Sequence, residues 1–491
     1  MISQLIGNKR IDLWLPAYLA SVPSRLLARL ARRGRLTHLV VVVCDHYEPR
    51  HGISDDNQPA RRVQSWHEGY AALQERCRRE LGDVPLHTFF YPPHHGLEHL
   101  PALSAMAYDG LGEVELHYHH DGDTTETLRA DLVRVLADYN RWGLLLTSGD
   151  RPRPAFAFVH GDWALNNSGG GQYCGVNDEL RLLQSLGCWA DFTLPSGNHC
   201  QTRTINSIYY ASSTPEHPKA HDHGTPARAG VTNRQGMLLV QGPLGINWRA
   251  PGYPRIENAS LTTPNPGRPD RIRAWIDSNI HVQGRPDWQF IKLHTHGAIE
   301  RDFDALFGEQ AFAMHRELQQ NFNDGRRYKL HYATARQAYN MIRAAEHGKQ
   351  GDPSLWRDFE LAPQPSHYYT SSSAHDLYSC SRSRLALGHI DTREPLVLRT
   401  RVAPLEQVTG ALTSLDFNGE TGCLLLQPVH AGAGVDLRFS VGTSIRSLTR
   451  ATLVRQEEYD GGLQVSLQLQ PDARVELTVQ RNPPVASPVL S

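Results

Sequence analysis

Long apolar runs are missing from this chain. No stretch of its 491 residues is long enough to span a bilayer. In the first thirty residues Asn8-Lys9-Arg10 is followed by Ile11-Asp12-Leu13-Trp14-Leu15-Pro16, which is no cleavable hydrophobic segment. Cysteine is sparse and unpatterned: Cys44, Cys77, Cys174, Cys188, Cys200, Cys380 and Cys423 are odd in number and form no CxxC pair. That excludes a disulfide framework as the organising device and points to a reducing, cytoplasmic setting. Net charge is lacking as well. Fifty Lys plus Arg stand against 51 Asp plus Glu, a formal charge of -1, so electrostatics give no reason to expect a nucleic-acid partner, and a neutral polar substrate fits better. Only Ser24 to Arg35, with five arginines among leucines, is strongly basic. We read residues 1–35 as a basic helical segment, either a plain surface helix or one making peripheral contact with an anionic membrane.

What the chain has instead is length, strand and helix in alternation, and 26 histidines. The length calls for two or three domains, or one large barrel with an appendage. Leu39 to Cys44 is an almost continuous β-branched run, the mark of a strand buried on both faces. Val63, Trp66, Tyr70, Leu73 and Cys77 then repeat at helical spacing, and strand Leu86 to Tyr91 is halted by Pro92-Pro93. Further strands are expected at Glu113 to Leu116, Ala155 to Val159, Trp189 to Thr193 and Gln289 to Leu293, separated by helices at crossover lengths. Such alternation implies a parallel sheet with right-handed connections. Leu165 to Gly171 reads as a flexible loop, and the Pro- and Gly-rich region from Pro195 to Pro269 as an insertion over a site. His331 to Thr334 is expected to open the last helix. Past residue 360 the period becomes two, as in Leu463 to Leu469 and Val475 to Val479. The domains expected are therefore 36–350, an α/β unit, and 360–491, an all-β accessory domain of sandwich type.

Ionisable residues collect where the strands end. Cys44 gives way to Asp45-His46-Tyr47-Glu48. The strand at residue 116 runs into His117-Tyr118-His119-His120-Asp121-Gly122-Asp123, and Val159 is followed by His160-Gly161-Asp162-Trp163. Asp191 closes a fourth strand, and His294-Thr295-His296 a fifth. If the strands are parallel these groups share one rim, where active sites collect in α/β proteins. Imidazole with carboxylate suits zinc or a similar divalent ion, although a solvated polar turn with helix-capping histidines would carry the same residue types.

Taken together, the strand ends resemble the polysaccharide deacetylase superfamily over roughly residues 36 to 345. Val43-Cys44-Asp45-His46 is similar to its first motif, Thr88-Phe89-Phe90 to its next strand, His117 with Asp121 to its second motif, and Leu293-His294 to its last. His46 stands where the family has an aspartate and Asp121 where it has a histidine, and the family's Arg-Pro motif has no counterpart near His160. The resemblance implies a distorted (β/α) barrel with a divalent metal, most simply zinc, held by His46, His117 and Asp121, with His120 or His119 as alternates in the register. Asp45 would then be the general base and His294 the general acid, in removal of an acyl group from an N- or O-acylated carbohydrate. Glu48, His160, Asp162, Trp163, Asp191 and His296 would line the substrate. Two other readings stay open. One is a metal-free glycosidase with Glu48 or Asp45 paired to Asp191 or Asp162. The other is a degenerate barrel that binds glycan on Trp163, Trp189 and Trp248.

Overall fold

The β-branched run of the first strand becomes a strand with three parallel neighbours. In the computed structural model β1 spans Thr37–Tyr47 with every residue buried. The structure describes residues 9–196, 198–232, 235–363, 367–369, 376–381, 383–460 and 462–479. It falls into two units, one of residues 1–136 and 154–362, the other of residues 137–153 and 363–491.

The first unit is mixed α/β around a ten-stranded half-barrel sheet. Its strands are β1, β2 (His87–Tyr91), β3 (Gly112–Tyr118), β5 (Phe156–His160), β6 (Cys188–Asp191), β7 (Ile208–Ala211), β8 (Thr225–Pro226), β9 (Met237–Val240), β12 (Trp288–Gly297) and β13 (Tyr328–Tyr332). The remaining short strands are β4 (Gly149–Asp150), in the second unit, and the hairpin pair β10 (Gly245–Asn247) and β11 (Arg255–Glu257). The order is β12-β1-β2-β3-β5-β6-β9-β7-β8, with β13 beside the first half of β1. Pairing is parallel as far as β9, and β7 and β8 are antiparallel. Residues 280–283 bond both to Phe290 of β12 and to Ala227 and Ala229 just past β8, so irregular chain lies between the two edge strands.

Period two sorts the side chains of these strands. Val40, Val42 and Cys44 of β1 share one face with Ala157 and Val159 of β5 and Phe290 of β12, and form a core that the helix Ala335–Glu346 completes. His46 and, one step past the strand, Glu48 continue that face. Parallel register places His294 beside Cys44 and His296 beside His46, so both histidines belong to it. Asp45 and Tyr47 are on the other face. There Tyr47 packs edge-on against Trp66 of the helix Gln58–Leu81, with ring centroids 5.8 Å apart.

Three expectations need correction. His331 lies in β13, and the last helix begins at Ala335 with a capping box made by Thr334 and Gln337. The loop after β5 is strapped down: Asn167 Oδ1 accepts from the backbone N–H groups of Gly171 and Gly175, and Asp123 N donates to Cys174 O. Residues 137–153 go with the C-terminal unit, because Gly149 and Asp150 pair with Cys380 and Ser379 and Trp142 packs on its core. That unit holds eleven strands, β4 and ten more between His367–Tyr369 and Gly462–Val479, hydrogen-bonded in one antiparallel order around its own core.

At the N-terminus the helix Ile11–Ala20 is anchored by Trp14 and Tyr18 against Leu244, whereas the next helix, Val22–Ala31, leaves Leu26, Leu27 and Leu30 exposed. Among the described residues no helix is long and apolar enough to cross a membrane. All seven cysteines are free.

Candidate metal centre

Three side chains converge where β1 and β3 end. Glu48 Oε1 lies 3.2 Å from His117 Nε2 and 3.3 Å from His119 Nε2, and the two nitrogens are 3.0 Å apart. Alternation along β3 explains the pair: His117 and His119 are two residues apart and share a side. Their tautomers follow from what the other ring nitrogens touch. His117 Nδ1 is 2.9 Å from the Val159 carbonyl oxygen, which can only accept, so Nδ1 carries the hydrogen and Nε2 turns a lone pair inward. His119 Nδ1 is 3.2 Å from Asp162 Oδ2, with the same consequence. Three acceptors then face one another at contact distance. Only a cation between them, or an extra proton on one imidazole, makes that arrangement favourable. Ligand atoms on a tetrahedron with bonds of about 2.0 to 2.1 Å stand about 3.3 Å apart, which matches the spacing here.

The electrostatics agree. Burial works against a charge on Glu48, but hydrogen bonding to His117, His119 and His296 holds its carboxyl far below the ordinary carboxylate range. Burial lowers His117, partly offset by Glu48. In His119 the opposing burial is overcome by Glu48 and Asp162, and its pKa rises. A lone proton would therefore settle on His119, and a divalent ion would compete with it.

Around this trio, His296 Nδ1 sits 3.1 Å from Glu48 Oε2. The ring of His46 lies 4.8 Å from that of His117, 5.0 Å from His296 and 6.1 Å from His294. His46 Nε2 and His294 Nδ1 are buried with no hydrogen-bond partner. Burial, then neighbouring positive groups, hold both histidines well below the ordinary value, and both are neutral. Trp163 flanks the rim with its ring 6.1 Å from His296, and exposed His94 with its ring 5.0 Å from His119.

Several residues fall elsewhere than expected. Asp45 is fully buried on the opposite face of β1, 3.7 Å from His87 Nδ1, and burial pushes its pKa well up. One step of strand period separates it from His46, so it is not a base at this centre. Asp121 is no ligand of either His-rich group either: it is exposed and accepts from the Tyr173 backbone N–H at 2.6 Å. His46 is beside the trio rather than in it. His120, one residue from His119, points to the other side with His160; the β3–β5 register pairs Tyr118 with His160 and gives that side to both. Asp191 is held by Thr193 Oγ1 at 2.7 Å, away from the rim trio. Trp189 packs on Phe192 and Tyr339, while Trp248 is exposed, so the three tryptophans form no shared platform. Glu48, assigned to substrate, and His119, kept as an alternate, are the candidate ligands that alternation along the strands selects.

His120 and His160 meet Glu179 and Cys174 in a second group. Glu179 begins the helix Glu179–Ser185, and Cys174 lies in the strapped loop, so no local pattern in the sequence marks either. No protein family matches the chain, and no curated protein does.

Proposed function

We propose that the chain is a metal-dependent hydrolase that removes an acyl group from an N- or O-acylated carbohydrate, built on a distorted (β/α) barrel of the polysaccharide deacetylase type. One observation carries this: a carboxylate oxygen, Glu48 Oε1, and two tautomer-fixed imidazole nitrogens, His117 Nε2 and His119 Nε2, converge at the strand-end rim beside two neutral histidines with unpartnered ring nitrogens. The ligand set is two imidazoles and one carboxylate, which leaves positions for water and substrate. A zinc-like ion held there would supply an acidified water and polarise the acyl oxygen.

The remaining roles belong to the chain's own groups. The Val159 carbonyl and Asp162 fix the two imidazoles, and His296 fixes the second oxygen of Glu48. His46 would accept the proton of the attacking water at Nε2, and His294, neutral at rest, would take a proton from solvent and deliver it to the leaving amine or alkoxide, after which His46 returns its own proton to solvent. Trp163, half-buried at the mouth, offers an apolar face to a sugar ring. The glycosidase reading is weaker, because both oxygens of Glu48 already face imidazoles and Asp45 and Asp191 lie outside the rim trio.

The test is acetate release from a panel of N- and O-acetyl sugars by metal-replete protein, before and after chelation. Hydrolysis that chelation stops and zinc restores is expected, with loss of about 10² to 10⁴-fold in His46→Ala. His294→Ala should damage amide cleavage far more than cleavage of an aryl acetate, whose phenolate needs little proton donation. Equal losses on both substrates remove the role of His294. No acyl hydrolysis by replete protein on any member removes the reading.

A further inference from the structure

The second histidine group carries its own conclusion. His120 Nε2 and His160 Nε2 face each other at 3.0 Å, and Glu179 Oε1 lies 3.1 Å from the first and 3.3 Å from the second. Both rings are fixed from behind. His120 Nδ1 is 3.0 Å from Asp123 Oδ2, and His160 Nδ1 is 2.5 Å from the Gly161 carbonyl oxygen. Each partner only accepts, so each Nδ1 carries the hydrogen and each Nε2 presents a lone pair. Three acceptors again point at one another, here with side chains at most 3% exposed. The other Glu179 oxygen accepts from Asn166 N at 2.5 Å and lies 3.7 Å from Cys174 Sγ. These four ligand atoms lie within 4.8 Å of one another.

We propose that His120, His160, Glu179 and Cys174 bind a second, structural divalent ion of the zinc class. Two imidazoles, a carboxylate and a thiolate complete a tetrahedron, leaving no open position, as in sites that hold a fold together. Asp123 and the Gly161 carbonyl supply the outer hydrogen bonds such histidines make. The ion ties together the turn after β3, the turn after β5, the glycine-rich loop and the helix Glu179–Ser185. The turn after β5 carries Asp162, which orients His119, so the structural site steadies the catalytic one from the opposite face of the sheet. The glycines of the loop fit this use: Gly175 has φ +101°, and a Cβ there would crowd the Asp123 backbone that lies over it.

The experiment is elemental analysis of the full chain, wild type beside Glu179→Gln, Cys174→Ser and His117→Ala, with folding followed by circular dichroism. About two ions per chain are expected in the wild type and about one in Glu179→Gln and in His117→Ala. With cobalt(II) in place of the native ion, a thiolate-to-cobalt absorption band should appear, persist in His117→Ala and vanish in Cys174→Ser. If Glu179→Gln does not fold, that band decides alone: its presence in wild type and loss in Cys174→Ser support the site, and its absence from cobalt-loaded wild type overturns it. A wild type with one ion that His117→Ala removes and Glu179→Gln keeps also overturns it. One ion that Glu179→Gln removes and His117→Ala keeps supports this site and removes the rim centre instead.

Discussion

A single residue step decides most of the chemistry at the end of β1. His46 and Glu48 reach the rim centre, whereas Asp45, between them in sequence, is enclosed on the far face with both carboxylate oxygens lacking hydrogen-bond partners. Gly297, beside it, has room for no side chain, since a Cβ there would collide with the Asp45 carboxyl group. Gly297→Ala should therefore cost about 1 to 3 kcal/mol through overpacking, and most of that loss should disappear in the Asp45→Ala background. Denaturant unfolding of the four variants of this cycle measures it, and purely additive losses would show that the carboxyl group is not where β1 places it. Asp191 makes a second residue-scale case. Burial raises its pKa from 3.8 to about 7, against the pull of Thr193 and Lys292. The protonated acid is favoured in the folded state, so its stabilising effect is full below about pH 4 and is lost as pH rises toward 7. The stability of wild type relative to Asp191→Asn should fall over that window, by at most about 4 kcal/mol, and then stay level. A flat difference from pH 4 to 8 would contradict the burial of an acid there.

At the scale of elements, the helix Ala335–Glu346 is fixed at its start by buried ionic contacts. Arg336 donates to Glu113 of β3 at 2.7 and 2.9 Å, Thr334 Oγ1 donates to the same carboxylate at 2.6 Å, and Ala335 N donates to Thr88 Oγ1 of β2 at 2.8 Å. Arg336→Met leaves Glu113 buried with a single partner and should cost about 3 to 5 kcal/mol. Thr334→Ala, which loses the cap and one hydrogen bond, should cost about 1 to 2 kcal/mol. Thermal unfolding ranks the two, and a smaller effect for Arg336→Met would mean the pair is solvated. These elements also show what the sequence made legible. The runs at β1, β2, β5 and β12 are readable because strands buried on both faces leave short apolar stretches, β-branched in β1 and rich in aromatics in β2 and β5. β13 is hidden in the sequence because Tyr328-Lys329-Leu330-His331-Tyr332 mixes polar and apolar residues and, among the described residues, its ladder is with Thr37 to Val41. At the rim, the histidines after β3 were visible as possible ligands, but their division between two groups needed the period of the strand. Glu179 and Cys174 join the second group only through tertiary contact, and nothing adjacent to them announces it.

For the whole molecule, the chain leaves the first unit after residue 136, contributes 137–153 to the second, and returns at 154. Every residue of the two proposed metal groups lies in the first unit, so metal content is expected not to depend on the second. The excursion does depend on it. Leu144, Leu145 and Leu146 are buried, Gly149 and Asp150 pair with Cys380 and Ser379, and Trp142 packs on the core built from Leu385 to Leu477. A chain ending at residue 362 keeps 137–153 but removes those partners, and the apolar residues of the excursion then face water. We expect that chain to retain the metal content of the full protein while chymotrypsin cuts it within 142–146, a stretch that resists the enzyme in the full chain. Ligand geometry and excursion burial are thereby read separately, by elemental analysis and by mass spectrometry of the fragments. Loss of metal on truncation would show that the first unit does not hold its sites alone, and continued resistance at 142–146 would show that the excursion is ordered without the C-terminal sheet.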